Sequence, residues 1–164
     1  MWRRFRSGAD DFTFVQDGAH FEARVVANAE RVVDLLHALA ERLPPAVDVA
    51  IEDVREERRW HGVAIALPDA REAIARLKAP LAAYGGVEIA VYSAEDQLTL
   101  TPDLELYIYA RTDRWLYVLQ GKGLHEVTSF GPESWRFDAQ ALGAAPELSD
   151  AIAAAAERLG LDPA

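Results

Sequence analysis

The sequence predicts a single α+β domain built on an antiparallel sheet, and three observations support this. Apolar residues recur at helical spacing in three stretches and alternate with polar residues in shorter stretches between them. An Asp-Gly pair sits between two alternating runs near the amino terminus. The 164 residues are 51% hydrophobic and 27% charged, ordinary values for a globular domain. A chain of this length buries roughly 70% of its unfolded surface and holds itself together without staples. One domain over residues 1–164 follows, with residues 1–10 expected as a flexible amino-terminal segment.

The elements are read in order. Phe12 and Phe14 alternate with polar residues, Asp17-Gly18 follows, and His20–Val25 continues; Asp-Gly in this setting predicts a β-hairpin with a type I′ turn. Asn28 is placed as an N-cap with Glu30 in the first turn. Val32, Leu36, Leu39 and Leu43 then form one helical stripe, stopped by Pro44-Pro45. Val47, Val49 and Ile51 alternate with Asp48 and Glu52 as a half-buried strand. Asp53–Arg59 is expected as a loop or extended hairpin tip, solvated and balanced in charge. Val63, Ile65 and Leu67 alternate again. Pro68 suits a first helical position, and Ile74, Leu77 and Leu81 continue a stripe that Pro80 should end or kink, with Gly85-Gly86 closing the segment. Val87, Ile89 and Val91 make a further strand.

Across Phe21–Tyr92 this β-α-β-β-α-β order resembles the split-βαβ pattern of ferredoxin-like domains. The resemblance lies in element order alone, and such a fold hosts many unrelated functions. Beyond it the sequence predicts an antiparallel β-meander: Leu98–Leu100, Leu104–Ala110, Trp115–Gln120 and Leu124–Phe130, joined by short turns. Gly121-Lys122-Gly123 reads as one of those turns and not as a phosphate loop, which needs a following helix. Trp135 and Phe137 are expected as anchors in an irregular stretch. A carboxy-terminal helix from Pro146 carries Leu148, Ile152, Ala156 and Leu159 on one face and is capped by Gly160.

Charge and composition narrow the function. Net charge is −10, which opposes phosphate neutralisation on nucleic acid and attraction to an anionic membrane. A basic protein partner is favoured by the same sign. Fifteen of seventeen basic residues are Arg, which with the abundant Ala suggests a GC-rich bacterial coding sequence. No cysteine is present, so disulfides, thiolate metal sites and cysteine nucleophiles are excluded, and a cytoplasmic location is expected. Met1–Arg6 is basic, but a polar stretch follows and no secretory leader is expected. No apolar run reaches the 18 residues that a membrane span needs.

Catalytic signatures are missing. His20, His37, His61 and His125 show no paired metal-ligand spacing. His20 and Glu22 share a strand face but lack a third ligand, so no metal and no cofactor are expected. No serine lies in a nucleophile motif. The acidic set Asp48, Glu52, Asp53, Glu56 and Glu57 is interleaved with Arg55, Arg58 and Arg59, as in a solvated loop.

An aromatic set is more distinctive. Tyr107, Tyr109 and Arg111 lie opposite Leu106 and Ile108; Trp115 and Tyr117 share a face; Tyr92 lies opposite Val91. Tyr, Trp and Arg are enriched at interface hot spots, so these six residues are the candidate partner-binding set. The competing reading covers both sheet faces and makes the aromatics core. The function favoured is non-catalytic protein binding, as in a regulator, an immunity protein or a secretion-type chaperone. The alternative is a small-ligand domain or enzyme, with a pocket between sheet and helices and polar groups from His20, Glu22 or His125.

Overall fold

The chain opens with the expected hairpin, shifted by one residue. In the computed structural model, which describes residues 10–130 and 143–164, β1 (Asp11–Asp17) pairs antiparallel with β2 (His20–Val26), and Asp17 faces His20. The two-residue loop is therefore Gly18-Ala19, not Asp17-Gly18. Gly18 has φ 61°, while Asp17 and Ala19 are absent from the left-handed region. Glycine alone at the first central position is the pattern of a type II′ turn. Residues 1–9 of the expected flexible segment, and the anchors Trp135 and Phe137, lie outside the described residues.

Helix α1 (Ala29–Ala40) begins where Asn28 accepts the Val32 N–H at 2.9 Å. Its stripe of Val32, Leu36 and Leu39, with Leu43 just beyond, is buried. After Pro44-Pro45, β3 (Ala46–Asp53) buries Val47, Val49 and Ile51 as the alternation requires. The charged segment is the tip of the β3–β4 hairpin, with Glu56 and Glu57 exposed in its turn, while Asp53 extends the strand and is buried. Arg55 donates to the carbonyls of Tyr84 at 2.6 Å, Gly143 at 3.0 Å and Gly85. A cation there meets the negative end of a helix.

Strand β4 (Arg58–Ala66) returns antiparallel to β3, but a bulge breaks its alternation. Val47 faces Ile65 while Val49 faces Gly62, which leaves one extra residue on β4. Ala64 sits at φ 53° and donates its N–H to Asp48 Oδ1 at 3.1 Å. Val63 is thereby turned outward, 64% exposed. Gly62 takes the inward place, where a Cβ would fall 2.5 Å from Leu161 Cδ2. Leu67 opens a helix rather than closing a strand.

That helix, α2 (Leu67–Tyr84), runs through Pro80. Proline inside a helix costs about 3 kcal/mol or more, but Leu77 and Leu81 on either side are both buried and hold the last turn in place. Gly85 and Gly86, at φ 61° and 78°, end it. Strands β5 (Val87–Tyr92), β6 (Asp96–Leu100) and β7 (Leu106–Ala110) follow as sequential antiparallel neighbours. Leu104 and Glu105 belong to the turn before β7: Leu104 has φ 63°, and Thr101 N–H reaches the Glu105 carbonyl at 2.8 Å.

The expected third strand of the meander is a helix, α3 (Arg114–Gly121). Trp115 and Leu119 are one helical turn apart and both fully buried. The Trp115 indole donates to Asp96 Oδ1 at 2.8 Å, which anchors the segment in helical form. Gly121-Lys122-Gly123 ends this helix instead of turning between strands. Leu124–Phe130 shrinks to β8 (His125–Glu126), parallel to β1. Helix α4 (Pro146–Arg158) buries Leu148, Ile152 and Ala156. Its end is a Schellman cap: Leu161 N–H reaches Ala156 O at 2.9 Å and Gly160 N–H reaches Glu157 O at 3.0 Å. The short β9 (Asp162–Pro163) then borders β4.

The result is an α+β fold with a nine-stranded mixed sheet in the order β8-β1-β2-β7-β6-β5-β3-β4-β9. The β-α-β-β-α-β succession is present along the chain, but its strands do not take ferredoxin-like places. In that arrangement β2 and β3 would have one strand between them; here β7, β6 and β5 all intervene. The later hairpin supplies β6 and β7 to the middle of the sheet and displaces β2 outward. Helices α1, α2 and α4 pack beside one another and against β6, β3 and β4 on a single face.

Gly18→Val is expected to lower stability by at least about 1–2 kcal/mol, the cost of a left-handed conformation for an L-residue, because nothing crowds the site and only backbone strain acts. A denaturant melt with an unchanged midpoint would refute the turn geometry.

Candidate functional site

Antiparallel register puts directly opposed residues on one face of a sheet, so the helix-free face can be read strand by strand. One row runs Val15, Glu22, Tyr109, Gln97, Tyr92, Asp48 across six strands. The next runs Thr13, Arg24, Tyr107, Thr99, Ala90, Ala50, His61. Among the described residues no helix packs on these rows. Tyr92, Tyr107 and Tyr109 therefore share a face, as the alternation predicts. Tyr109 and Tyr92 flank β6, about 9–10 Å apart at two strand spacings.

The rest of the candidate set is not brought together. Trp115 is fully buried in the helix layer. Tyr117 is 63% exposed but projects from α3, since two helical residues apart point in different directions. Arg111 lies just past β7, its N–H bonded to the Glu95 carbonyl at 3.2 Å. Of the six, Trp115 alone is fully buried, and it lies on a helix and not on the sheet.

The face is polar around its tyrosines. Tyr92 hydroxyl and His61 Nε2 are 2.9 Å apart, with their rings stacked at 6.4 Å. Only the β3–β4 register, which carries His61 within reach of β5, reveals the pair. Burial first, then the Glu22 charge and a hydrogen bond to Glu22, pushes the Tyr109 hydroxyl above its ordinary value. Burial and then Asp48 do the same to Tyr92. Arg24 forks onto the buried Glu105, with one contact at 2.8 Å, and stacks 4.8 Å over the Phe130 ring. Burial, then the charge of Glu52, holds the Glu88 carboxyl above its usual range, with Arg59 opposing.

The acidic set read as one cluster is split by the pleat. Asp48 and Glu52 stand on the open face, and Asp53 on the helix side. The polar groups named for a pocket do not converge: His20 is exposed at the hairpin end and His125 on β8, while Glu22 stands on the open face. The space between sheet and helices under Val49, Ile74, Leu77 and Ile89 holds about 10 Å³, no more than a single water needs. Among the described residues no three His, Asp or Glu side chains are grouped to hold a metal ion. No described helix is long and apolar enough to cross a membrane.

Compared with known proteins, the chain matches no family model, no curated protein and no solved structure.

Two outcomes test this placement. Tyr109 is 44% exposed, so Tyr109→Ala should change unfolding free energy by no more than about 0.5–1 kcal/mol, whereas Trp115→Ala should lose roughly 3–5 kcal/mol. Equal losses in a denaturant melt would contradict the two-sided description. Glu88 has a folded-state pKa above its unfolded one, so its ionised form disfavours folding at neutral pH, and that penalty fades as pH falls through the carboxylate range. Glu88→Gln should therefore raise the melting temperature at pH 7, with the gain shrinking towards pH ~4.

Proposed function

We propose that this chain is a non-catalytic protein-binding domain whose helix-free sheet face receives a basic partner. The observation that carries this reading is Tyr109, a large aromatic left 44% exposed in the middle of a sheet face that no described helix covers. Large side chains with an apolar body and a polar tip suit such surfaces, because they give contact area and a hydrogen bond at little entropic cost. Tyr107 and Tyr92 extend the patch on β7 and β5.

The charge around it supports the sign of the partner. Glu22, Asp48, Glu52 and Glu88 share this face with Arg24, Arg59 and His61, and Arg24 is already forked onto Glu105. With 27 acidic against 17 basic residues in the whole chain, long-range attraction accelerates encounter with a basic protein and disfavours nucleic acid. A cytoplasmic regulator, an immunity-protein-like inhibitor or a secretion-type chaperone would each use such a face. A small-ligand site between sheet and helices draws no support from the filled space beneath α2.

The experiment is affinity capture with the full chain and with Glu22→Lys/Tyr109→Ala, from an extract of the native cell. The variant is expected to keep its far-ultraviolet spectrum and lose the captured protein. Association of the intact pair should slow as salt rises, while dissociation changes little. Undiminished capture by the folded variant would remove this face from consideration.

A further inference from the structure

Three arginines border one cleft at the end of the sheet where β7 stops and β6 starts. Arg42 follows α1, Arg111 follows β7, and Arg114 opens α3. With Leu43, Pro44 and Thr112 they line a solvent-open cleft of about 380 Å³.

The three guanidinium groups are not equivalent. Arg114 is committed to the fold: it donates to Asp96 Oδ2 at 2.6 Å and to the Arg42 carbonyl at 3.4 Å. The other oxygen of Asp96 takes the Trp115 indole, so the Asp96 charge is spent inside the structure. The Arg42 and Arg111 side chains are exposed, and neither has a hydrogen bond or ion pair among the described residues. Their backbones are nevertheless tied down. Arg42 N–H reaches Leu39 O at 3.1 Å, and Arg111 N–H reaches Glu95 O at 3.2 Å. Glu95 also lines the cleft. Three arginines against two carboxylates still leave it one net positive charge, in a chain whose own net charge is −10.

We infer that this cleft binds a small molecule through an oxyanion, a phosphoryl or carboxylate group, held between Arg42 and Arg111. The guanidinium fork matches the paired oxygens of either group and donates two parallel bonds to them. Arg114, paired with Asp96, lines the cleft beside Arg42 and Arg111. Pro44, exposed at the rim, offers an apolar surface to the rest of the ligand, and Thr112 offers a hydroxyl. The volume lies within the range of about 300–1,000 Å³ typical of small-ligand sites. Two cations without a side-chain partner that line one cleft, in a chain rich in carboxylates, are an arrangement that an anion completes. This site is separate from the tyrosine face, and its occupancy does not depend on protein binding there.

The test titrates the full-length chain with inorganic phosphate and, separately, with citrate, at constant ionic strength set by chloride. The backbone amides of residues 111–114 are followed by NMR. Saturable shifts are expected for at least one probe. The tighter probe identifies the group, phosphoryl if phosphate and carboxylate if citrate. Arg42→Gln/Arg111→Gln should raise the midpoint by at least about tenfold, as for the loss of two charge-assisted donors. Glu95→Gln should lower it, because an opposing charge is removed while both arginines stay. This second variant decides the matter if the double variant is poorly folded. Shifts that chloride reproduces, a midpoint indifferent to the double variant, or a midpoint unmoved by Glu95→Gln would overturn the site.

Discussion

Val25, Leu106, Leu100, Ile89 and Ile51 stand in one register row across β2, β7, β6, β5 and β3, and their burial under α1, α2 and α4 is the interaction on which the rest of the structure depends. Each is at most 3% exposed, and each such side chain contributes about 1.5–3 kcal/mol on leaving water. The neighbouring row, Phe14, Ala23, Ile108, Leu98, Val91, Val49 and Gly62, fills the same face. Period-two alternation then forces every intervening residue to the other side. The helices spend their apolar stripes on this one face, so the opposite face is left to tyrosines, carboxylates and hydroxyl groups.

A few buried polar groups fix how the layers meet. Asp96 accepts from Trp115 and Arg114 together, which pins α3 to the first residue of β6. Glu105 is 1% exposed and held by the Arg24 fork, which ties the β6–β7 turn to β2. Arg55 bridges the end of α2 to Gly143, beside the start of α4. Such pairs do more to select an arrangement than to stabilise it, because burying the charges offsets most of their attraction. Breaking one leaves a buried charge without a partner, so each contact excludes alternative placements of its segment.

The same polar groups explain why the two candidate surfaces differ in sign. On the open face the cation Arg24 is consumed by Glu105, which leaves carboxylates and tyrosine hydroxyls to dominate. At the end of the sheet the anion Asp96 is consumed by Arg114 and Trp115, which leaves Arg42 and Arg111 opposed by Glu95 alone among the residues that line the cleft. An acidic domain thus carries one acidic aromatic face and one small basic cleft, and the difference traces to which partner each buried group has taken.

Local pattern alone settled a good part of this molecule. Val32, Leu36 and Leu39 could only be one helix face, and Leu148, Ile152 and Ala156 another. The alternation of Val47, Val49 and Ile51 and of Leu106–Ala110 fixed which side chains share a face, and so put Tyr107 and Tyr109 together opposite Leu106 and Ile108; that Tyr109 stands exposed there was decided by the tertiary structure. These features depend on neighbours within a turn or a pleat, which a single sequence displays. Short segments defeated the same reasoning. Trp115 and Leu119 fit a helix as well as Trp115 and Tyr117 fit a strand, and eight residues are too few to separate the periods; Asp96, nineteen positions away in sequence, made the choice. The bulge at Val63, the continuation of α2 through Pro80 and the outward displacement of β2 were likewise decided at long range, by a Leu161 side chain, by buried leucines and by strands contributed later in the chain. The pairing of His61 with Tyr92 and the bordering of one cleft by Arg42, Arg111 and Arg114 belong to this second kind. Sequence determined which faces are apolar, and only the tertiary structure determined which strands and loops stand side by side, because hydrogen-bonded neighbours in a sheet need not be neighbours along the chain.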